Sequence, residues 1–345
     1  MQTDWQTFLT ERGAVIEACA VQRFDTRITP RSPDTVQIFD LSDQGLLSVR
    51  GEDAENFLQG QLSSDLTHLA SAATHLTSYS TPQGRMLAIM RAFRYGDSIQ
   101  FLLPRELVEP VQQRLSRYVL RARVQIGSDD LNLGRIGLAG AESGELLARL
   151  ALPDPRTVGA VAGDGALSVL NVTVDRPRYI LVAPYERIMN IWRHAEDHAQ
   201  PAGAAAWRLL QIDAGTPSIY TATSETFVPQ MVNLELLGGV DFDKGCYTGQ
   251  EIVARAQYLG RIKRRMFRFK YSGEITPRAG DAIVLDDGTG VGTVVDAARA
   301  DSSWRMLAVI RIAVRDQPLH LAQPDGPLLQ DLGLPYAIPL PDEPE

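Results

Sequence analysis

The residues best placed to do chemistry surround one thiol. Cys246 lies in Lys244-Gly245-Cys246-Tyr247-Thr248-Gly249-Gln250-Glu251, with glycines on both sides, a cation two residues before it and an aromatic ring directly after it. Gly249-Gln250-Glu251 leads into Ile252, Val253 and Arg255 and predicts a helix that starts just after the cysteine. Free N–H groups and the helix dipole favour an anion at such a start, and a thiolate is one. Lys244 would lower the thiol pKa further, towards the form that attacks electrophiles or binds soft metals. The competing reading is structural, because free cysteine is among the most buried residue types and packs as a small hydrophobe. No Cys-His relay can be assigned: His68, His75, His194, His198 and His320 are remote in sequence and have no telling neighbours.

A second constellation is Trp207 and Asp213, in Ala206-Trp207-Arg208-Leu209-Leu210-Gln211-Ile212-Asp213-Ala214-Gly215. A helix from about Ala204, with a glycine near its end, would set an indole and a carboxylate around one corner. Such a pair suits a flat heteroaromatic ring, stacked on the indole and donating two hydrogen bonds to the carboxylate. A core tryptophan and a helix-terminal aspartate are also commonplace, so both readings stand.

Other chemistries are set aside. There is no phosphate-binding glycine loop with its lysine and hydroxyl, no nucleophile-elbow serine and no His-Glu-x-x-His. Cys19 and Cys246 are the only cysteines, without Cys-x-x-Cys spacing, which argues against a disulfide framework or a structural zinc site, and no metal ligand set is assigned. A net charge of -8 disfavours polyanions in general. The one dense basic stretch, Arg261, Lys263, Arg264, Arg265, Arg268 and Lys270, reads either as a solvated strand face or as a polyanion site. Met1 to Arg12 lacks the basic start and apolar run of a secretory signal, and no apolar stretch has membrane-spanning length, so the expectation is a cytoplasmic protein with no membrane partner.

The elements that must hold these residues are legible in part. The chain of 345 residues favours more than one folding unit. Residues 1–36 read as a short helix and a polar linker. Leu46 to Gly51 predicts a strand, and Asp53 to Leu62 an acid-capped helix. Ala73 to Thr81 and Arg85 to Arg94 predict a hairpin around Pro82-Gln83-Gly84, followed by a strand at Ile99 to Leu103 and a helix at Glu106 to Leu120. Tyr179-Ile180-Leu181-Val182-Ala183-Pro184, followed by Glu186 to Asp197, echoes Phe101-Leu102-Leu103-Pro104-Arg105-Glu106, which suggests two related α+β lobes, although strand-proline-helix is a common sequence. Beyond the cysteine the texture turns all-β, with strands at Arg265 to Tyr271, Ala282 to Leu285, Gly290 to Asp296 and Met306 to Ile312 in a small barrel or sandwich. The proline-rich acidic tail from Pro335 to Glu345 reads as a loosely ordered strap. The expected boundaries are 1–36, 37–125 for the first lobe, 126–260 for the second with the cysteine motif, and 261–345 for the barrel and tail.

The cysteine stretch resembles the signature of the YgfZ family of folate-binding proteins, within the superfamily of the glycine cleavage T-protein. Agreement extends through Gly60-Gln61-Leu62-Ser63-Ser64-Asp65 and Phe227-Val228-Pro229-Gln230-Met231-Val232-Asn233-Leu234. The resemblance implies an α+β fold of two lobes around a central tetrahydrofolate site, plus a C-terminal β-barrel. It implies a tetrahydrofolate-binding accessory factor, using tetrahydrofolate or a derivative, with iron-sulfur proteins as clients. tRNA enters indirectly, through the cluster enzyme of tRNA methylthiolation. Cys246, with Lys244 beside it, would be the functional thiol, and Trp207 and Asp213 the folate contacts, with Asp213 a shorter stem where relatives carry glutamate. Aminomethyltransferase relatives also carry an acid shortly after the hairpin glycine, whereas Gly84-Arg85-Met86-Leu87-Ala88-Ile89 has none. That argues against aminomethyl transfer, the competing enzyme reading; an RNA-binding or scaffold module using the basic stretch is the third.

Overall fold

The protein is described from a computed structural model covering residues 1–25, 35–67, 69–70, 72–173, 177–258 and 262–339. It opens with helix α1 (Thr3–Thr10) and the hairpin β1 (Ala14–Glu17) and β2 (Ala20–Phe24). There follow β3 (Gln37–Asp40), β4 (Gln44–Arg50), α2 (Ala54–Gln59), β5 (Thr74–Ser80), β6 (Met86–Tyr95), β7 (Ser98–Pro104), α3 (Val108–Ser116) and β8 (Gln125–Ser128). The next run is β9 (Leu133–Ala139), α4 (Ser143–Arg149), β10 (Val161–Gly163), β11 (Ser168–Thr173), β12 (Arg178–Pro184), α5 (Tyr185–Ala195) and β13 (Gln200–Ala202). Then come α6 (Ala204–Asp213), α7 (Gln250–Tyr258), β14 (Arg264–Tyr271), β15 (Ala282–Val284), β16 (Gly290–Ala300), β17 (Ser303–Arg311), β18 (His320–Leu321) and β19 (Gln330–Asp331).

The fold is mixed α/β. One sheet has the order β5-β6-β7-β4-β8 and another β10-β11-β12-β9-β3-β13. The run β4-α2-β5-β6-β7-α3-β8 therefore matches β9-α4-β10-β11-β12-α5-β13 in order and in pairing, apart from β3 lying between β9 and β13. The sequence echo falls at one place in both runs: β7 ends at Pro104 before α3, and β12 ends at Pro184 before α5. Proline suits that place, because its fixed φ starts a helix and its missing N–H is not needed there. Tyr185, Ile188, Ile191, Trp192 and Ala195 line one side of α5 at helical spacing and are all buried.

The chain divides into two compact units made of non-consecutive stretches. The first is Met1–Glu55, His68–His75 and Arg91–Trp207; the second is Asn56–Thr67, Leu76–Met90 and Arg208–Glu345. In the first unit the N-terminal stretch holds more than a helix and linker. Trp5, Phe8, Leu9 and Val21 join Ile136, Leu138, Leu181 and Trp192 in one core, and the Trp5 indole donates to the buried Asp40 at 2.7 Å. Much of the polar linker, residues 26–34, lies outside the described residues.

In the second unit β18-β15-β16-β17-β14-β19 form a curled antiparallel sheet, an open half-barrel with β18 and β19 at its edges. Breaks in register at Ile283/Val284 and Val294/Asp296 are the bulges that bend it. Phe267, Phe269, Ile283, Val294, Met306 and Ile310 fill its core. The expected strap is ordered as far as Ile338: the Tyr336 hydroxyl donates to the Gly215 carbonyl at 2.8 Å, and Ile338 packs on the core. Residues 340–345 of that strap lie outside the described residues. No helix among the described residues is long and apolar enough to cross a membrane.

Candidate thiol site

The cysteine loop belongs wholly to the second unit. It is built on an aspartate turn: Asp241 Oδ1 accepts the N–H groups of Asp243 at 2.8 Å and Lys244 at 3.2 Å, and the Asp241 N–H donates to the Ser63 carbonyl at 2.9 Å. The turn sends Lys244 inward. Its ammonium donates to three main-chain carbonyls, Gln59 at 2.9 Å, Leu62 at 2.7 Å and Ser64 at 2.8 Å. These lie at and beyond the C-terminus of α2, where carbonyls lack intrahelical partners and the dipole favours a cation. Three donors meet three acceptors, so the ammonium is fully engaged in closing the loop. Burial pushes the Lys244 pKa down to about 8, opposed by Asp65 and Asp241.

Two residues on, the thiol of Cys246 is exposed. Tyr247 turns back in, with its ring centroid 5.2 Å from Lys244 Nζ, and burial pushes its pKa up to about 12. The Thr248 N–H donates to the Gly60 carbonyl at 3.2 Å. The loop is thus stitched to Gln59–Ser64 on both sides of the cysteine, while Cys246 itself is exposed.

The helix expected after the cysteine is α7, starting at Gln250. Its start needs glycine twice. Gly249 has φ +87°, and a Cβ there would lie 2.5 Å from the Thr81 carbonyl oxygen and 3.0 Å from Gly84 Cα. Gly84, in the expected hairpin turn, has φ +70°, and its Cβ would lie 3.0 Å from Cβ of Ile252. The two motifs read separately in the sequence are one packed contact.

Trp207 and Asp213 sit on α6, Trp207 in the first unit and Asp213 in the second. Trp207 is 2% exposed. Its ring packs over Gly137, whose Cβ would lie 2.6 Å from indole Cζ3, and meets Phe39 edge-on at 5.2 Å. Gly137 and Phe39 are directly paired across β9 and β3, so the missing side chain makes the notch that seats the indole. Asp213 is ion-paired with Arg305 through Oδ2, and Arg268 lies 3.6 Å from Oδ1 while donating to the Asp213 carbonyl at 2.6 Å. Oδ1 is buried and accepts no hydrogen bond among the described residues. This orphaned carboxylate oxygen is the kind of acceptor that the donor edge of a reduced pterin requires, although it is buried beside Arg268, whereas the covered indole presents no open face for stacking.

The sequence reading missed several charged contacts. Of the basic stretch, Arg265 is buried and paired with Glu235, and Arg268 is engaged with Asp213 and the Gly333 carbonyl, while Lys263 and Arg264 are exposed; Arg261 lies outside the described residues. The stretch is neither a plain solvated face nor a continuous cationic surface. Asp296 was also missed, although an acid among Val294, Val295, Ala297 and Ala298 is a visible signal. It is buried, accepts the Tyr220 hydroxyl at 2.9 Å and the Ala297 N–H at 2.8 Å, and lies 3.9 Å from Arg208. Burial pushes its pKa up to about 6.

The chain is 31% identical over 324 residues to the tRNA-modifying protein YgfZ of Klebsiella pneumoniae (strain 342), covering 91% of this chain and 98% of the relative. It is 30% identical over 322 residues to the protein of that name from Escherichia coli O45:K1 (strain S88 / ExPEC), with the same coverage. No family model matches. Among solved structures, the glycine cleavage system aminomethyltransferase T from Bartonella henselae superposes with a TM-score of 0.79 over 96% of each chain at 14% identity, a likeness of fold.

Proposed function

The chain belongs to the YgfZ family, and from that premise we propose that it is a tetrahydrofolate-binding accessory factor for assembly or repair of iron-sulfur proteins. Its clients include the cluster enzyme of tRNA methylthiolation, it works in the cytoplasm, and its link to tRNA is indirect. The observation that carries this reading is the exposed thiol of Cys246 on a loop pinned by the buried Lys244. A protein that uses its sulfur internally would bury it. One that offers it to another macromolecule must present it, and on a loop that does not collapse.

Within this reading Cys246 faces the client, Lys244 positions the loop, and Asp213 Oδ1 receives the pterin edge. Trp207 supports the ligand through the packing of α6 on Gly137. Tetrahydrofolate, held by Asp213 and Trp207, would supply one-carbon or reducing chemistry. Aminomethyl transfer ranks below, because β6 and the residue before it, Arg85 to Tyr95, contain no carboxylate to manage the amine proton. An RNA-binding module ranks below that, since Arg265 and Arg268 already have internal partners.

The test is tetrahydrofolate binding to the purified full chain, compared with Asp213→Asn and Trp207→Ala. Binding weakened by either substitution in folded protein supports the pocket. Affinity unchanged in both would remove these residues from the account, and no binding by the unaltered chain would remove the folate.

A further inference from the structure

Three arginines lie on or beside the strand that follows Gly84, and two have partners. Arg85 donates to the Thr226 carbonyl at 2.6 Å. Arg94 donates to the Leu69 carbonyl at 2.7 Å and pairs with Glu55. Arg91, between them on β6, has no hydrogen bond or ion pair among the described residues.

Its nearest partners across the strands are apolar. Arg91 is paired with Leu102 on β7, and Leu102 with Leu46 on β4, so the three side chains rise from one face of the sheet. Phe93, two positions along, shares that face. Leu46 and Phe93 are completely buried and Leu102 nearly so. Asp129, the acid that meets Gln100 of this sheet, is already held by Gln100 at 2.5 Å and Arg50 at 2.7 Å. Burial brings the Arg91 pKa down to about 10, with no carboxylate to oppose it.

A guanidinium half-withdrawn from water, with five donors and no acceptor, is costly to keep. Its planar fork matches a carboxylate bidentately, and none is supplied by the protein. We propose that Arg91 is a receptor for one carboxylate group of a bound small molecule, either a separate small organic acid or the glutamyl tail of a folate. Only the second source rests on the folate reading above.

The experiment uses the full chain, with Arg91→Met and Arg91→Lys. Thermal melting is followed in sodium formate and sodium acetate against sodium chloride at equal ionic strength. Affinities for tetrahydrofolate and for 6-methyltetrahydropterin, which has no carboxylate, are measured alongside. If the source is a small acid, formate or acetate raises the melting temperature above the chloride control in the unaltered chain and not in Arg91→Met. If the source is the tail, Arg91→Met loses about tenfold or more in tetrahydrofolate affinity and keeps its affinity for the methylpterin. Should Arg91→Met not fold, Arg91→Lys, which keeps the charge without the fork, must show the same selective loss in weaker form. Variants that respond to every probe as the unaltered chain does overturn the proposal. An unaltered chain that binds no folate but responds to formate or acetate overturns the folate reading alone.

Discussion

Lys244 Nζ lies 2.7 Å from the carbonyl oxygen of Leu62, a residue 182 positions earlier in the chain. Together with Gln59 and Ser64 this makes Lys244 the cap of a distant helix end, and the cysteine loop hangs from that cap.

Lys244→Met should therefore destabilise the protein by roughly 2–4 kcal/mol, because three carbonyls lose a charged donor in a buried place. Urea unfolding of the two proteins checks this. A variant as stable as the unaltered chain would mean that water replaces the ammonium at no cost.

Cys246→Ser should leave stability within about 0.5 kcal/mol, since the side chain is exposed. The native protein should react quickly with a thiol-specific chromogenic disulfide at the exposed Cys246 and more slowly at Cys19, which is half-buried. The fast phase should vanish in Cys246→Ser.

Gly249→Ala combines a positive φ with a Cβ 2.5 Å from a backbone oxygen that cannot step aside. The expected loss is about 2–3 kcal/mol. Gly84→Ala, whose Cβ meets a side chain at 3.0 Å, should cost less, about 1–2 kcal/mol. Unfolding midpoints in that order check the contact between the hairpin turn and α7.

Asp296 has a folded pKa of about 6 against an ordinary 3.8, so the native state holds its proton more tightly than the unfolded chain does. Its contribution is fully present below pH 3.8 and is lost as pH rises through about 6, amounting to roughly 2–3 kcal/mol. Asp296→Asn should flatten the stability profile between pH 4 and 6.5 relative to the unaltered chain. Parallel profiles for the two proteins would show that burial does not shift this carboxyl.

Local signals exposed much of this architecture. Alternation and turn glycines mark β5, β6 and β14 to β17, and the glycine-rich run after Cys246 marks the start of α7. Long-range partnership was not legible. Lys244 reads as a neighbour of the thiol because they are two residues apart, yet its acceptors are carbonyls, which carry no sequence identity. Trp207 reads as a stacking platform, but its seat is Gly137, a residue defined by what it lacks. Asp213 reads as a free carboxylate, although Arg268 and Arg305 approach it from β14 and β17. The hairpin of β1 and β2 was hidden by the polar residues of a strand pair with one exposed face.

The central claim, that Cys246 is the working group of a cluster-supporting factor, is tested most directly in bacteria lacking their own YgfZ relative. The quantity to measure is the level of methylthiolated tRNA after supplying this chain or its Cys246→Ala variant at equal abundance. The account predicts that the unaltered chain restores the modification and that Cys246→Ala, though folded, does not. Equal restoration by both would contradict it.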